Sequence, residues 1–373
     1  MQFSQIPGKS EVKRQIIQQV QKGRVPHAQF FLAREGYGAL AMALAFSSYL
    51  MCEQKTEDDS CGKCGQCLKT GKFIHPDIHY SFPVVKFGEK KRELTTSDDF
   101  LPHWREILAK NPYMGTTEWL QLLNSDSQLN INVKECNDII HKLNMMSYES
   151  DYKVLIMWLP EYLDKEGNRL LKLIEEPTDN TFIILVAENQ NLVLKTILSR
   201  CQLVKIPKFE NKEISQYIQK KLDISEAKAE QIANLSDGNI NLAQNIGMDE
   251  APDFSDLLIS WLRIAYKSDP IEINKWIAVI SDMSKNDQKN FFEYGLHFFN
   301  QFVFWIYTKN KEVNLTEKEI EIANNMTKII DIKKAEAIST LLDEAIDNLH
   351  RNANIKILLF ADTLAVGEIV RRK

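Results

Sequence analysis

Four of the six cysteines fall within sixteen residues, and no other feature limits the fold of this chain as strongly. They are Cys52, Cys61, Cys64 and Cys67, whereas Cys136 and Cys201 stand alone. The N-terminal residues MQFSQIPGKSEVKRQ lack the apolar core of a signal peptide. We therefore expect a cytoplasmic protein in which the cysteines do not form a disulfide framework.

The spacing of the clustered cysteines predicts a closed metal site. Two-residue gaps let consecutive thiolates reach one ion, and Gly62 and Gly65 permit the tight turns that this requires. Four thiolates at ~2.3 Å form a tetrahedral zinc site that is structural, because no position stays open. An iron–sulfur cluster uses the same ligands but a different spacing in bacterial ferredoxins, and reduced thiols without a metal are the other alternative. We predict structural Zn²⁺ in a module of about residues 52–67.

Strand-like and helix-like patterns alternate in the first half of the chain. The predicted strands are 27–32, 154–158 and 181–187, and the predicted helices are 1–25, 39–51, 131–145 and 161–176. Such alternation is typical of an α/β domain with a parallel sheet. Residues 85–128 look polar and irregular, with scattered aromatic residues.

After Pro207 the pattern becomes helical. Residues 209–247 form a small helical segment, and longer amphipathic helices are predicted at 254–267, 270–283, 287–308, 316–329, 332–350 and 354–371. The aromatic run FFEYGLHFFNQFVFWIY fits the core of a helix bundle. We therefore divide the chain into an α/β domain at 1–208, a small helical domain at 209–250 and an all-helical domain at 251–373.

The first predicted strand leads through a glycine turn into a helix, which is the layout of a phosphate-binding loop. In the motif G-x-x-x-x-G-K-[ST], the lysine holds phosphates and the hydroxyl binds Mg²⁺. Here Ala33 replaces the first glycine, Gly36 lies within the turn, and Gly38 is kept. Ala39 and Leu40 stand where the lysine and the hydroxyl belong, and neither side chain can bind phosphate or metal.

The acidic strand that accompanies such a loop is also altered. Its two carboxylate positions are Trp158 and Leu159, and Glu161 lies beyond a proline, where it is better placed as a helix N-terminal acid. The chain therefore lacks the lysine, the hydroxyl and both carboxylates of phosphoryl transfer. We expect that ATP does not bind productively and that the chain is not itself an enzyme.

Five further motifs carry a family resemblance. They are GRVPHAQFF at 23–31, HPD at 75–77, NRLLKLIEEP at 168–177, ILSRC at 197–201 and RNANIK at 351–356. Together with the cysteine cluster, they resemble the delta-prime subunits of the bacterial DNA polymerase III clamp loader, in the AAA+ superfamily. The resemblance is dense over 1–205 and thinner but continuous in order towards the C-terminus.

The resemblance implies a fold and a function. The fold is an AAA+ P-loop-type parallel sheet domain with a zinc module, then a small helical lid and an all-α collar. The function is that of a non-hydrolysing stator in the polymerase holoenzyme, in a hetero-pentamer with ATPase subunits and a delta subunit. That complex loads a sliding clamp on primed DNA, without a membrane. Ser199, Arg200 and Cys201 match a motif whose arginine acts in trans on the nucleotide of the adjacent ATPase.

The sequence also departs from the family pattern and leaves other functions open. Asn241 stands where a lid arginine is expected, and Arg169 where a small residue is common. The rival interpretations are an active AAA+ ATPase, a zinc-dependent DNA-binding protein and a pseudo-ATPase adaptor outside replication. With 46 basic against 51 acidic residues, a net charge of −5 argues against a broad cationic surface for nucleic acid.

Overall fold

The computed structural model describes residues 1–85, 95–125, 127–247, 254–308, 315, 317–350 and 353–371. The chain divides into two compact units. The first unit is Met1–Glu213 with Gly238–Asn241, and the second is Ile214–Asp237 with Leu242–Lys373. Each unit has its own hydrophobic core.

The first unit is built on a five-stranded parallel sheet. Its strands are β1 (Ala28–Leu32), β2 (Ile78–Ser81), β3 (Lys153–Trp158), β4 (Thr181–Ala187) and β5 (Gln202–Lys205), in the order β2-β3-β4-β1-β5. Phe30 of β1 is aligned with Leu185 of β4 and Leu203 of β5. The central strands read as continuous apolar runs because helices cover both faces of a parallel sheet. The predicted parallel α/β sheet is confirmed.

Helices connect these strands. They are α1 (Ser10–Gln21), α2 (Ala39–Met51), α3 (Gly65–Gly71), α4 (Leu101–Lys110), α5 (Thr116–Leu122), α6 (Val133–Asn144), α7 (Leu171–Glu175) and α8 (Lys195–Leu198), with 3₁₀ helices at Phe3–Gln5, Ser97–Phe100, Pro160–Leu170 and Gln190–Leu192. Every residue of α2 is buried, as its alanine-rich sequence requires. The helix predicted at 161–176 is instead 3₁₀ over Pro160–Leu170, where Asp164 with φ +46° forms a kink, and α-helical over Leu171–Glu175.

The expectation that residues 85–128 are irregular is wrong for the part that the structure describes. Residues 86–94 and 126 lie outside that part, but the remainder contains a 3₁₀ helix at Ser97–Phe100 as well as α4 and α5. The buried residues of α4 are Trp104, Ile107 and Leu108. Their i, i+3, i+4 spacing is the pattern of an amphipathic helix. This helix was not predicted because polar residues lie between the three buried ones.

The aromatic residues of this segment form part of the core. The ring of Trp104 stacks on Phe82 with centroids 4.1 Å apart, and Trp119 meets Trp104 edge-on at 5.5 Å. Both tryptophans have no exposed surface. The Trp119 Nε1–H donates to the carbonyl of Pro83 at 2.9 Å, which satisfies the polar atom of a buried ring.

The second unit is helical throughout its described residues. Its helices are the C-terminal part of α9 (Asn211–Leu222), then α10 (Glu226–Ser236), α11 (Ile240–Gly247, beginning in the first unit), α12 (Phe254–Lys267), α13 (Pro270–Ser281), α14 (Lys285–Thr308), α15 (Glu317–Met326), α16 (Ile332–His350) and α17 (Ile355–Arg371). Most of the helices predicted after residue 252 agree with these bounds within two or three residues.

Aromatic side chains form the centre of this unit. Phe291 of α14 lies 5.8 Å from Trp261 and 5.5 Å from Trp276, measured between ring centroids. The Trp261 Nε1–H donates to Thr363 Oγ1 at 2.8 Å, and this bond links α12 to α17. The aromatic run of α14 is therefore core, as its spacing predicted.

The RNANIK motif is described in part. Arg351 and Asn352 lie outside the described residues, whereas Asn354 caps α17, its Oδ1 accepting from the Lys356 amide at 3.0 Å.

Within the described ranges, no helix combines the length and apolar character needed to cross a membrane.

Candidate functional site

Residues 33–38 connect β1 to α2 at the carboxyl edge of the parallel sheet. This is the edge at which open α/β sheets bind ligands. Gly36 and Gly38 have φ values of +74° and +91°, which favour glycine, and Gly38 is the residue that precedes the first turn of α2. The loop therefore keeps the backbone form of a glycine turn that leads into a helix N-terminus.

The loop encloses very little space. A cavity of about 20 Å³ is lined by residues of 33–40, 112–114 and 186–188 and by Trp158. That volume holds about one water molecule. Sites for small organic ligands are on the order of 300–1,000 Å³. The structure therefore brings the predicted loop residues and Trp158 together, around a space far smaller than a nucleotide.

The chain's own side chains cover both glycines. A Cβ on Gly36 would lie 1.8 Å from Asn239 Oδ1, and a Cβ on Gly38 would lie 2.9 Å from the ring of Phe209. The Ile240 amide donates to the Gly36 carbonyl at 3.1 Å. The glycines thus make room for protein atoms.

Asn241 is the centre of a polar network beside the loop. Its side chain is 2% exposed. Its Nδ2 donates to Glu118 Oε1 at 2.7 Å and to Glu35 Oε1 at 3.4 Å, while its Oδ1 accepts from Asn111 Nδ2 at 2.7 Å. Gly115 leaves room for Glu35, since a Cβ there would lie 2.0 Å from the carboxyl carbon. The network connects 238–241 to α5 and to the loop itself.

Lys9 packs next to this region. Its ammonium group lies 3.9 Å from the centroid of the Phe209 ring and bonds to the carbonyl of Pro207. Burial lowers the pKa of Lys9 to about 8, against the opposite effect of Glu213 and Glu210. The lysine therefore supports the ring that covers Gly38.

The two positions at the end of β3 are buried and apolar. Trp158 and Leu159 each expose 2% of their surface, and the ring centroid of Trp158 lies 5.3 Å from that of Trp104. Leu159 adopts φ +57°, and its amide donates to the Val186 carbonyl at 2.8 Å. Neither side chain offers an oxygen ligand to Mg²⁺.

Glu161 has a structural role close to these residues. Its Oε1 accepts from the amides of Glu188 and Asn189 at 2.6 and 2.8 Å, just after β4 ends. Burial raises the pKa of this carboxyl group, and the two amides counteract that effect. The carboxylate lies in the first turn of the 3₁₀ helix Pro160–Leu170, in agreement with its prediction as a helix N-terminal acid.

The four clustered cysteines come together as predicted. Their Sγ atoms all lie within 4.8 Å of one another. Cys52 follows α2, and Cys64 is the N-cap of α3. The amides of Cys61, Cys64 and Cys67 donate to the sulfurs of Cys52, Cys61 and Cys64 at 3.3, 3.3 and 3.4 Å. Four sulfur ligands in this arrangement are compatible with a zinc site.

The thiols of the cluster differ in acidity. Hydrogen bonds from the backbone amides of Lys63 and Cys64 lower the pKa of Cys61 to about 6. Burial raises the pKa values of Cys52 and Cys67. A bound dication would stabilise all four thiolates together, since a coordinating thiol is deprotonated.

His75 and Asp77 attach this module to the sheet, a role that the sequence did not reveal. The Asp77 carboxylate accepts from the three amides of residues 148–150 at 2.5, 3.0 and 2.9 Å. His75 Nε2 lies 2.7 Å from Gln66 Oε1 in α3, and burial lowers the pKa of the histidine. The HPD motif is one of those that carry the family resemblance, but Asp77 contacts a loop that lies about seventy residues away in sequence, so no local pattern indicated the contact.

Ser199, Arg200 and Cys201 lie between α8 and β5 and do not line the cavity of the loop. The Arg200 side chain is 33% exposed and forms an ion pair with Glu175. Burial raises the pKa of Cys201 to about 12, which makes it an inert thiol. Ser199 is exposed, and the Arg200 guanidinium beside it is partly accessible to solvent.

A family model and several relatives relate this chain to DNA polymerase III subunits. The family model described as "DNA polymerase III, delta subunit" matches residues 8–210. The DNA polymerase III subunit delta′ of Yersinia pestis is 27% identical over 191 residues, 50% of this chain and 44% of that protein. The Bacillus subtilis delta′ subunit is 22% identical over 245 residues, 66% of this chain and 60% of that protein. The match thus spans about half the length of these relatives.

A structural similarity was also found. A DNA polymerase III gamma subunit-related protein from Thermotoga maritima gives a TM-score of 0.40 at 14% identity, covering 98% of this chain and 100% of that one. A TM-score this low does not establish a shared fold.

The polar network predicts a stability effect. Asn241→Ala removes a hydrogen-bond partner from each of the half-buried Asn111 and Glu118, so we expect the free energy of unfolding to fall by about 1–3 kcal/mol. Urea denaturation followed by tryptophan fluorescence measures this. The control Asn191→Ala changes an exposed asparagine of the same unit and should stay within about 0.5 kcal/mol. Equal effects of the two substitutions would contradict the network's importance.

Proposed function

The chain belongs to the DNA polymerase III delta-subunit family, and from that premise we propose that it is the non-hydrolysing delta-prime subunit of a clamp loader. The observation that carries the proposal is the loop at 33–38, which the chain's own Asn239 and Phe209 cover. A subunit that does not bind a nucleotide can still act in an ATPase assembly, as a fixed part of the ring whose surface contacts the neighbouring subunits. We propose this role, that of a stator, for the chain.

The proposed site lacks each group that phosphoryl transfer requires. Ala39 and Leu40 are buried where a lysine and a hydroxyl residue would act, and Trp158 fills a carboxylate position. Catalysis of this reaction depends almost entirely on positioned charge and metal. Their combined absence supports a chain that is not an enzyme and that does not bind ATP productively.

We assign the first unit's sheet and loop to an AAA+ domain, with a lid at 209–250 and a collar at 251–373. The glycine loop between β1 and α2 on a parallel sheet supports the first assignment. Large apolar side chains on the surface of the helical unit support the last. Ile271, Ile357 and Phe360 are exposed, and Ile357 and Phe360 line an open groove of about 480 Å³. Contiguous apolar surface of this kind is typical of sites of protein association.

The proposed partners are the ATPase subunits and the delta subunit of a hetero-pentamer, which acts in the cytoplasm on a sliding clamp and primed DNA.

We assign Arg200 as the arginine that acts on the nucleotide of the adjacent ATPase subunit. Its guanidinium is partly accessible to solvent and is held by an ion pair and by two hydrogen bonds from Nη1 to groups of the same chain. An arginine supplied in trans is worth about 10³–10⁵ in rate in other nucleotide hydrolases.

Mutation of Arg200 tests the function. Arg200→Ala should leave folding and assembly with clamp-loader ATPase subunits intact and lower the DNA- and clamp-stimulated ATPase at one nucleotide site. Arg200→Lys should not fully restore it, because an ammonium group lacks the planar set of donors. Co-purification of the complex and steady-state ATPase assays measure both properties. Failure to assemble with those subunits, or unchanged ATPase activity, would overturn the assignment.

Nucleotide binding is tested on the isolated chain. A ligand present at 100 times its Kd stabilises a protein by about 2.7 kcal/mol. We expect millimolar MgATP to leave the melting temperature unchanged and no hydrolysis to occur, because the cavity is only about 20 Å³. Ala39→Lys should not restore binding, since Asn239 and Phe209 still cover the glycines. A clear rise in melting temperature with MgATP would refute the proposal.

The zinc assignment predicts one metal ion per chain, bound by the four clustered cysteines. Elemental analysis of protein purified without chelator should find about one zinc. Cys64→Ser should lower the zinc content and increase proteolysis near residues 52–77, because metal binding is coupled to local folding. Cys136→Ser, at a buried cysteine outside the cluster, is the matched control and should retain zinc. Zinc-free wild-type protein would be decisive against the assignment.

A further inference from the structure

Groups of the same chain bind the Nε and Nη1 atoms of the Arg200 guanidinium. Its Nε bonds to the carboxylate of Glu175, at the end of α7. Its Nη1 donates to the Thr196 carbonyl at 2.7 Å and to Ser199 Oγ at 3.2 Å. Within the part of the chain that the structure describes, Nη2 makes no hydrogen bond. One nitrogen of the group therefore stays available to a ligand.

These contacts fix the orientation of the guanidinium. The group is planar with five N–H donors in a rigid arrangement, so holding Nε and Nη1 also fixes the direction of Nη2. Glu175 lies in α7, and Thr196 lies in α8, so two separate helices contribute. A donor that is already oriented loses less conformational freedom when it meets an anion, which is the benefit of preorganisation.

We propose that Glu175 is the positioning residue for Arg200. It holds the guanidinium by Nε so that the Nη2 side faces the nucleotide of the adjacent subunit. This inference rests on the proposed function of Arg200. The alternative is that Glu175 holds the arginine back, and the sign of the mutational effect separates the two.

Two features favour positioning over restraint. Glu175 bonds to Nε and leaves Nη2 open, so the carboxylate and a phosphate can contact the same guanidinium at once. The ion pair is also exposed, with 33% of the Arg200 side chain and 45% of the Glu175 side chain accessible. Because exposed ion pairs are weak, Glu175 would compete poorly with a nucleotide phosphate for the arginine.

The test uses the full chain in the reconstituted clamp-loader complex. The trans arginines of the ATPase subunits are replaced, so that turnover reports the nucleotide site that faces this chain. Glu175→Gln keeps the size of the side chain and removes its charge. We expect kcat to fall about two- to fivefold, the effect of losing an exposed ion pair, with KM for ATP unchanged because the arginine acts in the transition state.

Three matched variants make the result specific. Glu176→Gln removes the charge of the next residue, which is exposed and, among the described residues, forms no hydrogen bond or ion pair with Arg200, so it should have no effect. Arg200→Ala should lower kcat more than Glu175→Gln does. Adding Glu175→Gln to Arg200→Ala should cause no further loss, because a positioning residue acts only through the arginine.

Each outcome supports or overturns the inference. If Arg200→Ala lowers turnover and Glu175→Gln does not, the inference is wrong and the proposed function stands. If Glu175→Gln raises turnover, Glu175 restrains the arginine rather than positioning it. If the two losses add, Glu175 has a separate structural role. If Arg200→Ala changes nothing, the proposed function fails, and this inference fails with it.

Discussion

The direct contact between the glycine loop and residues 238–241 is the interaction on which the site depends. The Ile240 amide bonds to the Gly36 carbonyl, and the Asn239 side chain fills the space that the missing Cβ leaves. A loop that binds a phosphate presents its amides to an anion. Here protein groups contact the loop instead, and the side-chain amide of Asn241 donates to the carboxylates of Glu118 and Glu35.

The sequence predicted the parts of the fold that depend on local pattern. The strands β1, β3 and β4 were visible as apolar runs, and the cysteine cluster was visible as spacing. The strands β2 and β5 were missed because each has only four residues, too few for a periodic signal. The contacts that close the loop were invisible, since Gly36 and Asn239 are about two hundred residues apart and no local pattern links them.

The same limit applies to residues that hold others in place. Arg200 was identified from the motif that surrounds it, but its partner Glu175 lies 25 residues earlier, at the end of α7. Asp77 likewise accepts hydrogen bonds from three amides of the loop at 148–150, and no sequence pattern predicted this contact. Glu175 and Asp77 both lie in motifs that carry the family resemblance, but a motif does not indicate which groups its side chains contact. Only a three-dimensional description reveals these contacts.

Trp158 has a consequence for how this chain can change over evolutionary time. Its ring lies in a buried aromatic cluster with Trp104, so replacement by an acidic residue would place an unpaired charge in the core and leave a void. A carboxylate at this position would therefore be accommodated only if neighbouring core residues changed as well. The first unit thus depends on Trp158 for its packing.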